Sequence, residues 1–355
     1  MPRFLKIALA AALVLGLAGA AAVYLVTFSP NTPAFDDGEQ FRGVKIPPGT
    51  GFSATADSLV SAGIIADASR FKAFGGATGW GRQVKPGYYR FEEGATNWDV
   101  LDKIRKGLQD YVRFTVPPGT RPGVIAAIWR RDFGMDSAAV HQAFLSDSLA
   151  RALGTDVQHL FGRMRPNSYD AYWTTNPEPL IRKVNGYMEQ FFDQNGRRAK
   201  AEALGLTPDE VITMASIVEW EARRPEERPR IAGVYLNRLL GLKGQRMRLQ
   251  ADPTVQYALM QAEGGLMRRL LFKDYEFPSP YNTYQVDGLP PGPINNPSES
   301  SIDAVLNPED HGYHYFVAKG DGTHTFSRTL REHNRAAEAY RAMMRERRRA
   351  QQQGS

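Results

Sequence analysis

The stretch FLKIALAAALVLGLAGAAAVYLV, Phe4 to Val26, limits this chain more than any other segment, because apart from Lys6 it holds only apolar residues. A run that apolar leaves its backbone N–H and C=O groups nothing to bond with except each other, so it predicts a helix. The uncharged part, Ile7 to Phe28, has about the 20 residues needed to cross a bilayer. Arg3 and Lys6 precede it and no basic residue follows until Arg42. That asymmetry predicts a cytoplasmic N-terminus, with everything beyond the helix outside the cytoplasmic membrane. A cleaved signal peptide is the competing reading, with Ala18-Gly19-Ala20 as the cleavage signal, but the apolar run continues past it. Both readings argue against nucleic acid as the partner, although 44 basic against 38 acidic residues give a net charge of +6. The chain has no cysteine, which excludes a disulfide scaffold, a thiolate nucleophile and a cysteine zinc site without fixing the compartment.

Residues 1–28 are thus expected to form the anchor, and the polar, proline-containing stretch 29–40 a linker. A pattern then occurs twice. FRGVKIPPGT ends at Thr50 and YVRFTVPPGT at Thr120, and each alternates apolar residues before Pro-Pro-Gly-Thr. Alternation predicts a half-buried strand that the PPGT terminates. Helical patterns follow near Ala54–Ala62 and Val124–Arg131. The first copy predicts a small α/β module over 41–110, which also holds a strand, turn and helix in KPGYYRFEEGATNWDVLDKIRKGL. The second opens a mixed α+β domain over 111–342, before a basic tail, 343–355. Helices are expected over 178–205, 231–242, 254–263, 300–306 and 330–349. Tyr313–Ala318 reads as a strand that pairs with Thr323–Phe326 across Lys319-Gly-Asp-Gly322. The fold class is α+β.

Within that domain, Thr207-Pro-Asp-Glu210 predicts a helix start: a capping threonine, proline at the first position and glutamate at the third. The helix continues through MASIVEWEA, Met214 to Ala222, which carries Glu219 and Glu221 in an otherwise apolar segment. Its apolar face centres on Val211, Met214, Val218 and Ala222, with a glutamate on each border. At 100° per residue the two carboxylates point roughly 160° apart, so they cannot flank one bond. Glu219 sits beside Ala215, Ser216 and Ala222, which leave room for a ligand. A carboxyl at the rim of an apolar surface is partly desolvated, which favours the neutral form that a general acid needs. The plainer reading pairs Glu219 with Arg223 or another base at the helix border, and Glu221 is expected to be structural.

Further blocks follow in order: RLQADPTVQYAL (Arg248–Leu259), PYNTY (Pro280–Tyr284), GLPPGPINNP (Gly288–Pro297) and YHYFVAKGDGTHTF (Tyr313–Phe326). Together with MASIVEWEA they make the chain, from about residue 40 to 340, resemble the YceG-like, or MltG, family of membrane-anchored endolytic murein transglycosylases. The resemblance implies a LysM-like module ahead of the catalytic domain. It implies Glu219, at the end of ASIVE, as the catalytic acid. It implies the glycan strands of peptidoglycan as partner, cut between N-acetylmuramic acid and N-acetylglucosamine to leave 1,6-anhydro ends, and a place in the cytoplasmic membrane with the catalytic domain outside. A link to the termination of nascent strands, and so to cell-wall synthases as partners, follows from the resemblance alone.

Such chemistry needs one carboxyl, because the sugar supplies the nucleophile, whereas a common glycosidase needs two. Candidate cleft residues are Tyr281, Asn282, Thr283 and Tyr284, with rings and amides for sugars, together with Gln250, Asp252, Asn295, His324 and Thr325. Plainer readings stand beside these: Asp252 as a helix cap, Asn295 and Asn296 as turn residues, and His324 as a structural histidine. His311 and His314 lack partners for a metal site, and neither metal nor cofactor is expected. The chain departs from the family at LFGRMRPNSY, Leu160–Tyr169, where many members read L-E-G-Y-L-F-P-D-T-Y. Phe161 and Asn167 stand where acids are usual. Two rival functions remain: a peptidoglycan-binding scaffold with a silent acid, and a muramidase drawing a second carboxylate from Asp252 or Glu299.

Overall fold

The computed structural model describes residues 2–35, 37–264 and 268–353. The chain divides into two compact units, Met1–Arg113 with Asp170–Thr175, and Phe114–Tyr169 with Asn176–Ser355.

The first unit begins with helix α1, Arg3–Thr27, long and apolar enough to cross a membrane and buried against nothing over its apolar window. Strand β1, Arg42–Ile46, follows, then α2, Phe52–Ser61, α3, Ala68–Thr78, β2, Gly87–Phe91, and α4, Asn97–Lys106. β1 and β2 pair antiparallel with Val44 opposite Tyr89. Their alternation puts Val44, Ile46, Tyr89 and Phe91 on one face, where Leu59, Phe71 and Ile104 of the three helices cover them. Thr96 and Asp99 form a capping box that starts α4. Part of the stretch expected to be a linker is docked. Asn31 and Thr32 are buried, and the Asn31 amide donates to Asn97 Oδ1 at 2.6 Å and to the Asp67 carbonyl at 3.0 Å. A buried amide bonded on two sides fastens the segment to this unit.

Strand β3, Tyr111–Val116, is followed by α5, Pro122–Phe133, α6, Ser137–Phe144, α7, Asp147–Ala152, and α8, Val157–Leu160. Strand β4, Asn167–Tyr172, pairs with β3, and the division between units falls within both strands. Helices α9, Pro177–Asp193, and α10, Arg197–Ala203, lead to α11, Pro208–Glu221. Then come α12, Arg228–Leu240, α13, Asp252–Glu263, α14, Glu299–Leu306, the antiparallel strands β5, Tyr315–Ala318, and β6, His324–Ser327, and finally α15, Leu330–Gln353.

The core of the second unit surrounds α11. The expected capping box forms, Thr207 Oγ1 accepting from the Glu210 N–H and Glu210 from the Thr207 N–H. The helix is not amphipathic, however: every residue from Val211 to Val218 is buried, Thr213 and Ser216 included. Both hydroxyls are satisfied within the helix, donating to the Asp209 and Thr213 carbonyls. With α12 and α14 packed around it, α11 is a central strut, and its two glutamates leave the core in the last turn.

The variant segment around Phe161 has its own partners. Phe161 packs edge-on against Phe144, Arg163 bonds Asp209 and Glu189, and Arg165 bonds Glu299.

Candidate active site

An open cleft of about 490 Å³ lies in the second unit where the end of α11, the inner face of α12, the start of α13 and the β5–β6 hairpin converge. α11 supplies Glu221, α12 supplies Tyr235 and Arg238, and the turn into α13 supplies Gln250 and Asp252. The loop after α13 adds Tyr275 and Tyr284, β6 adds His324, and α15 adds His333. Four expected site residues, Gln250, Asp252, Tyr284 and His324, therefore meet in one place, but the glutamate among them is Glu221.

Glu221 Oε1 accepts one hydrogen bond, 2.8 Å from the Tyr235 hydroxyl. Burial pushes the Glu221 carboxyl up to about 7, against the pull of the Tyr235 hydroxyl, with the charge of Asp252 adding to the rise and that of Arg238 opposing it. Burial, and then the Glu221 charge, hold the Tyr235 phenol well above its ordinary value, so it stays a donor. Asp252 is the first residue of α13 rather than its cap. Its carboxylate accepts from Tyr284 at 2.7 Å and Tyr275 at 3.4 Å. Arg238 is buried beneath the cleft, donating at 2.6 Å each to the His314 and Leu249 carbonyls. His324 Nδ1 lies 2.8 Å from Glu227, which also accepts the His324 backbone N–H at 3.0 Å, so the ring is oriented by an acid. Burial and the charges of Arg238 and Arg341 push His333 down.

Glu219 occupies a different environment. Its Oε2 accepts from the Ser298 N–H at 3.0 Å, Ser298 Oγ at 2.5 Å and Ser301 Oγ at 2.6 Å. Its Oε1 accepts from Arg228 at 3.1 Å, so the base that pairs with it, as the plainer reading allows, is Arg228. Arg228 also donates to Ser298 and Ser300. Only 9% of the Glu219 side chain is exposed, and the second PPGT turn covers it: the Trp220 indole donates to the Gly119 carbonyl at 2.9 Å, and Gly119 lies beside Glu219 Cγ. The Gly119 N–H and Asn296 bind this turn in place. Glu219 thus ties α11 to the start of α14 and does not line the cleft.

Several other expected contacts are internal. Asn282 and Thr283 are fully buried. The Asn282 amide donates to the Tyr275 and Phe277 carbonyls, and Thr283 Oγ1 accepts from the Ala251 N–H and meets Thr254 Oγ1. Asn295 is buried and donates to the Ser216 carbonyl at 2.7 Å. In these positions the buried side chains hold backbone, of the loop for Asn282 and of α11 for Asn295, and do not line the cleft. Tyr281 packs on Tyr257, ring centres 4.8 Å apart, outside the cleft, and Thr325 faces a separate groove between the hairpin and α15. Glu299 is bonded to Arg165, leaving Asp252 as the second carboxylate of the cleft. Of the residues that line this cleft, the sequence reading takes Glu221 as structural and does not single out Tyr235 or Arg238. Only the 3.6-residue phasing of Tyr235 and Arg238 hinted that they share a face.

A family model described as the YceG-like family matches residues 44–339. An endolytic murein transglycosylase of Bacillus subtilis is 30% identical over 331 residues, 87% of each chain. One from Streptococcus pneumoniae is 25% identical over 85% of this chain and 59% of its own length. The crystal structure of a YceG-like protein from Listeria monocytogenes superposes with a TM-score of 0.56 at 28% identity, covering 83% of this chain and 98% of that one.

Proposed function

Since this chain belongs to the YceG-like family, we propose that it is a lytic transglycosylase acting on peptidoglycan, with Glu221 as the group that moves the proton. One observation carries the assignment to Glu221. It is the carboxyl of α11 that opens onto the cleft, with a single hydroxyl donor and a carboxyl pushed up to about 7. A carboxyl titrating there is protonated often enough near neutrality to donate, and basic enough afterwards to accept.

Protonated Glu221 donates to the glycosidic oxygen as the bond from muramic C1 breaks. The N-acetylglucosamine side departs as an alcohol. The carboxylate left behind takes the proton from the muramic C6 hydroxyl, whose oxygen attacks C1 and closes a 1,6-anhydro ring. No water enters and the acid is regenerated. Tyr235 keeps Oε1 occupied and orients the carboxyl, and Arg238 balances the negative charge present between the two steps.

The remaining assignments rest on the resemblance and the arrangement of elements. Residues 1–28 anchor the chain in the cytoplasmic membrane with the rest outside. The α/β module over 41–110 is LysM-like and grips glycan, the domain over 111–342 cuts it, and the substrate is a nascent strand near its synthase. A muramidase is the second reading, favoured by the presence of Asp252 in the same cleft as Glu221.

The test is full-length protein in detergent on uncrosslinked murein glycan, with mass analysis of the new ends. Ends one water lighter than reducing ends, formed by wild type and Glu219→Gln but not by Glu221→Gln, support the reading. Loss in Glu219→Gln alone returns the acid to Glu219. Reducing ends make the protein a muramidase, and glycan bound but uncut makes it a scaffold.

A further inference from the structure

Two non-glycine residues among those described have a positive φ, Asn195 at 56° and Gln250 at 51°. Asparagine enters the left-handed region readily because its short amide bonds nearby backbone, but glutamine has no such compensation. Gln250 is nevertheless locked there. Its N–H donates to the Thr283 carbonyl at 3.1 Å, and the next N–H, of Ala251, donates to Thr283 Oγ1 at 2.9 Å. This turn aims the Gln250 side chain into the cleft that holds Glu221. There the amide is exposed and has no hydrogen-bond partner among the described residues. Its neighbours differ: Asp252 is taken by two tyrosines, His324 by Glu227, and Arg238 by two carbonyls. A strained backbone that delivers an unpartnered polar group to a cleft points to a ligand contact.

We propose that Gln250 reads the 2-acetamido group of a sugar bound in the cleft, and so makes the enzyme selective for N-acetylated glycan. A primary amide offers a donor and an acceptor in one plane. On an acetylated sugar the Gln250 NH2 group can donate to the acetamido carbonyl, whereas a free amine in its place, protonated near neutral pH, offers it no acceptor. Sites built to bond a polar group reject the analogue that lacks it, because their own polar atoms are then left unpaired. The proposal rests on the reading of this cleft as the glycan-cutting site.

The test is a cycle of two enzymes and three substrates. Full-length wild type and Gln250→Gly are given synthetic glycans that are fully acetylated, or deacetylated on the glucosamine sugars only, or on the muramic sugars only, and kcat/KM is read from release of new ends. Any help the acetyl group gives the chemistry itself is common to both enzymes and cancels in the ratio. We expect wild type to prefer acetylated glycan at one of the two sugars by at least tenfold more than the variant does, with Gln250→Asn, which tolerates the same backbone, restoring part of the preference. Gln250→Gly also removes the strain, so its unfolding temperature should equal or exceed that of wild type, and a loss of preference cannot then be ascribed to misfolding. Equal discrimination by both enzymes at both sugars overturns the proposal. Wild type that cuts no substrate, with Glu221→Gln equally silent, defeats instead the reading on which it rests.

Discussion

The two ends of one helical turn make opposite use of the same side chain. Glu219 and Glu221 leave α11 two residues apart, yet one carboxylate is surrounded by donors and the other has a single donor at the wall of a cleft. Glu219 has four donor contacts, from Ser298, Ser301 and Arg228, under the Gly119 turn. Glu221 has one, and it lines a cleft. An acceptor saturated by fixed donors holds structure together, and an acceptor left short of donors in a desolvated cleft is free to carry a proton. A helix that is buried on every side until its last turn can deliver both, because the turn projects one side chain into the protein and the next but one out of it.

The largest expected effect separates them by activity. Glu221→Gln should lower kcat by about 1,000-fold, within the range for removing a general acid. Glu219→Gln, assayed on the folded fraction, should stay within a few-fold of wild type. The measurement is the rate of new glycan ends per folded molecule. A loss of similar size in both variants would break the comparison.

Stability should separate them the other way. Glu219→Ala leaves Arg228, whose side chain is 12% exposed and whose Nε already lacks a partner, beside the Ser298 N–H, which also loses its acceptor. Removing one member of such a buried pair is expected to cost about 3 kcal/mol, read from thermal or denaturant unfolding of the full chain. Glu219→Gln keeps the shape and one acceptor, and should lose less. Glu221→Ala removes a carboxyl with a single hydroxyl partner and should be nearly neutral at pH 7.

The pH dependence sharpens the same contrast. The Glu221 carboxyl rises from 4.5 to about 7 on folding. Between those values the folded chain holds a proton that the unfolded chain has released, so stability from this group is full below 4.5 and is lost as pH climbs through 7. Glu221→Gln has no such loss. Its stability relative to wild type should therefore grow from pH 4.5 to above pH 7 and then level off, by about 2 kcal/mol once solvent screening in an open cleft is allowed for. Unfolding midpoints of the two proteins across that range test this, and parallel curves would mean that Glu221 titrates as an ordinary carboxyl. In the same range, kcat of wild type should fall as pH rises past about 7, because the acid form is lost.

How far the sequence revealed this can be judged at α11. That both glutamates could not serve one bond follows from helix geometry, and the structure keeps them apart. Which of them was open did not follow. The small residues beside Glu219 suggested room for a ligand, but the protein's own backbone fills that room: Ser216 Oγ accepts the Ile294 N–H and the Ser216 carbonyl takes the Asn295 amide. Small side chains mark close approach without saying whether the visitor is substrate or chain. The loop polar residues are ambiguous for a related reason. Asn282 and Thr283 bond backbone in a segment with no ladder of its own, and a buried amide holding a loop uses the same chemistry as one holding a sugar. Local signals fared better, because their causes lie within a few residues. The β5–β6 hairpin closes across Lys319–Gly322 as expected, and both PPGT segments separate a strand from a helix.

The smallest effect concerns one of those local signals. Thr207 caps α11 through the Glu210 N–H, 3.2 Å away, while Glu210 returns a bond to the Thr207 N–H at 2.7 Å. Thr207→Ala should destabilise the chain by about 1 kcal/mol, the usual value for losing such a cap. The cap lies at the end of the helix away from both glutamates, and the buried middle from Val211 to Val218 is held on all sides by its neighbours. Activity per folded molecule and the pH at which it falls should therefore not move. A shift in that pH would mean that fraying at the start of α11 reaches its last turn, and that the separation between Glu219 and Glu221 depends on the whole helix rather than on the contacts around each carboxylate.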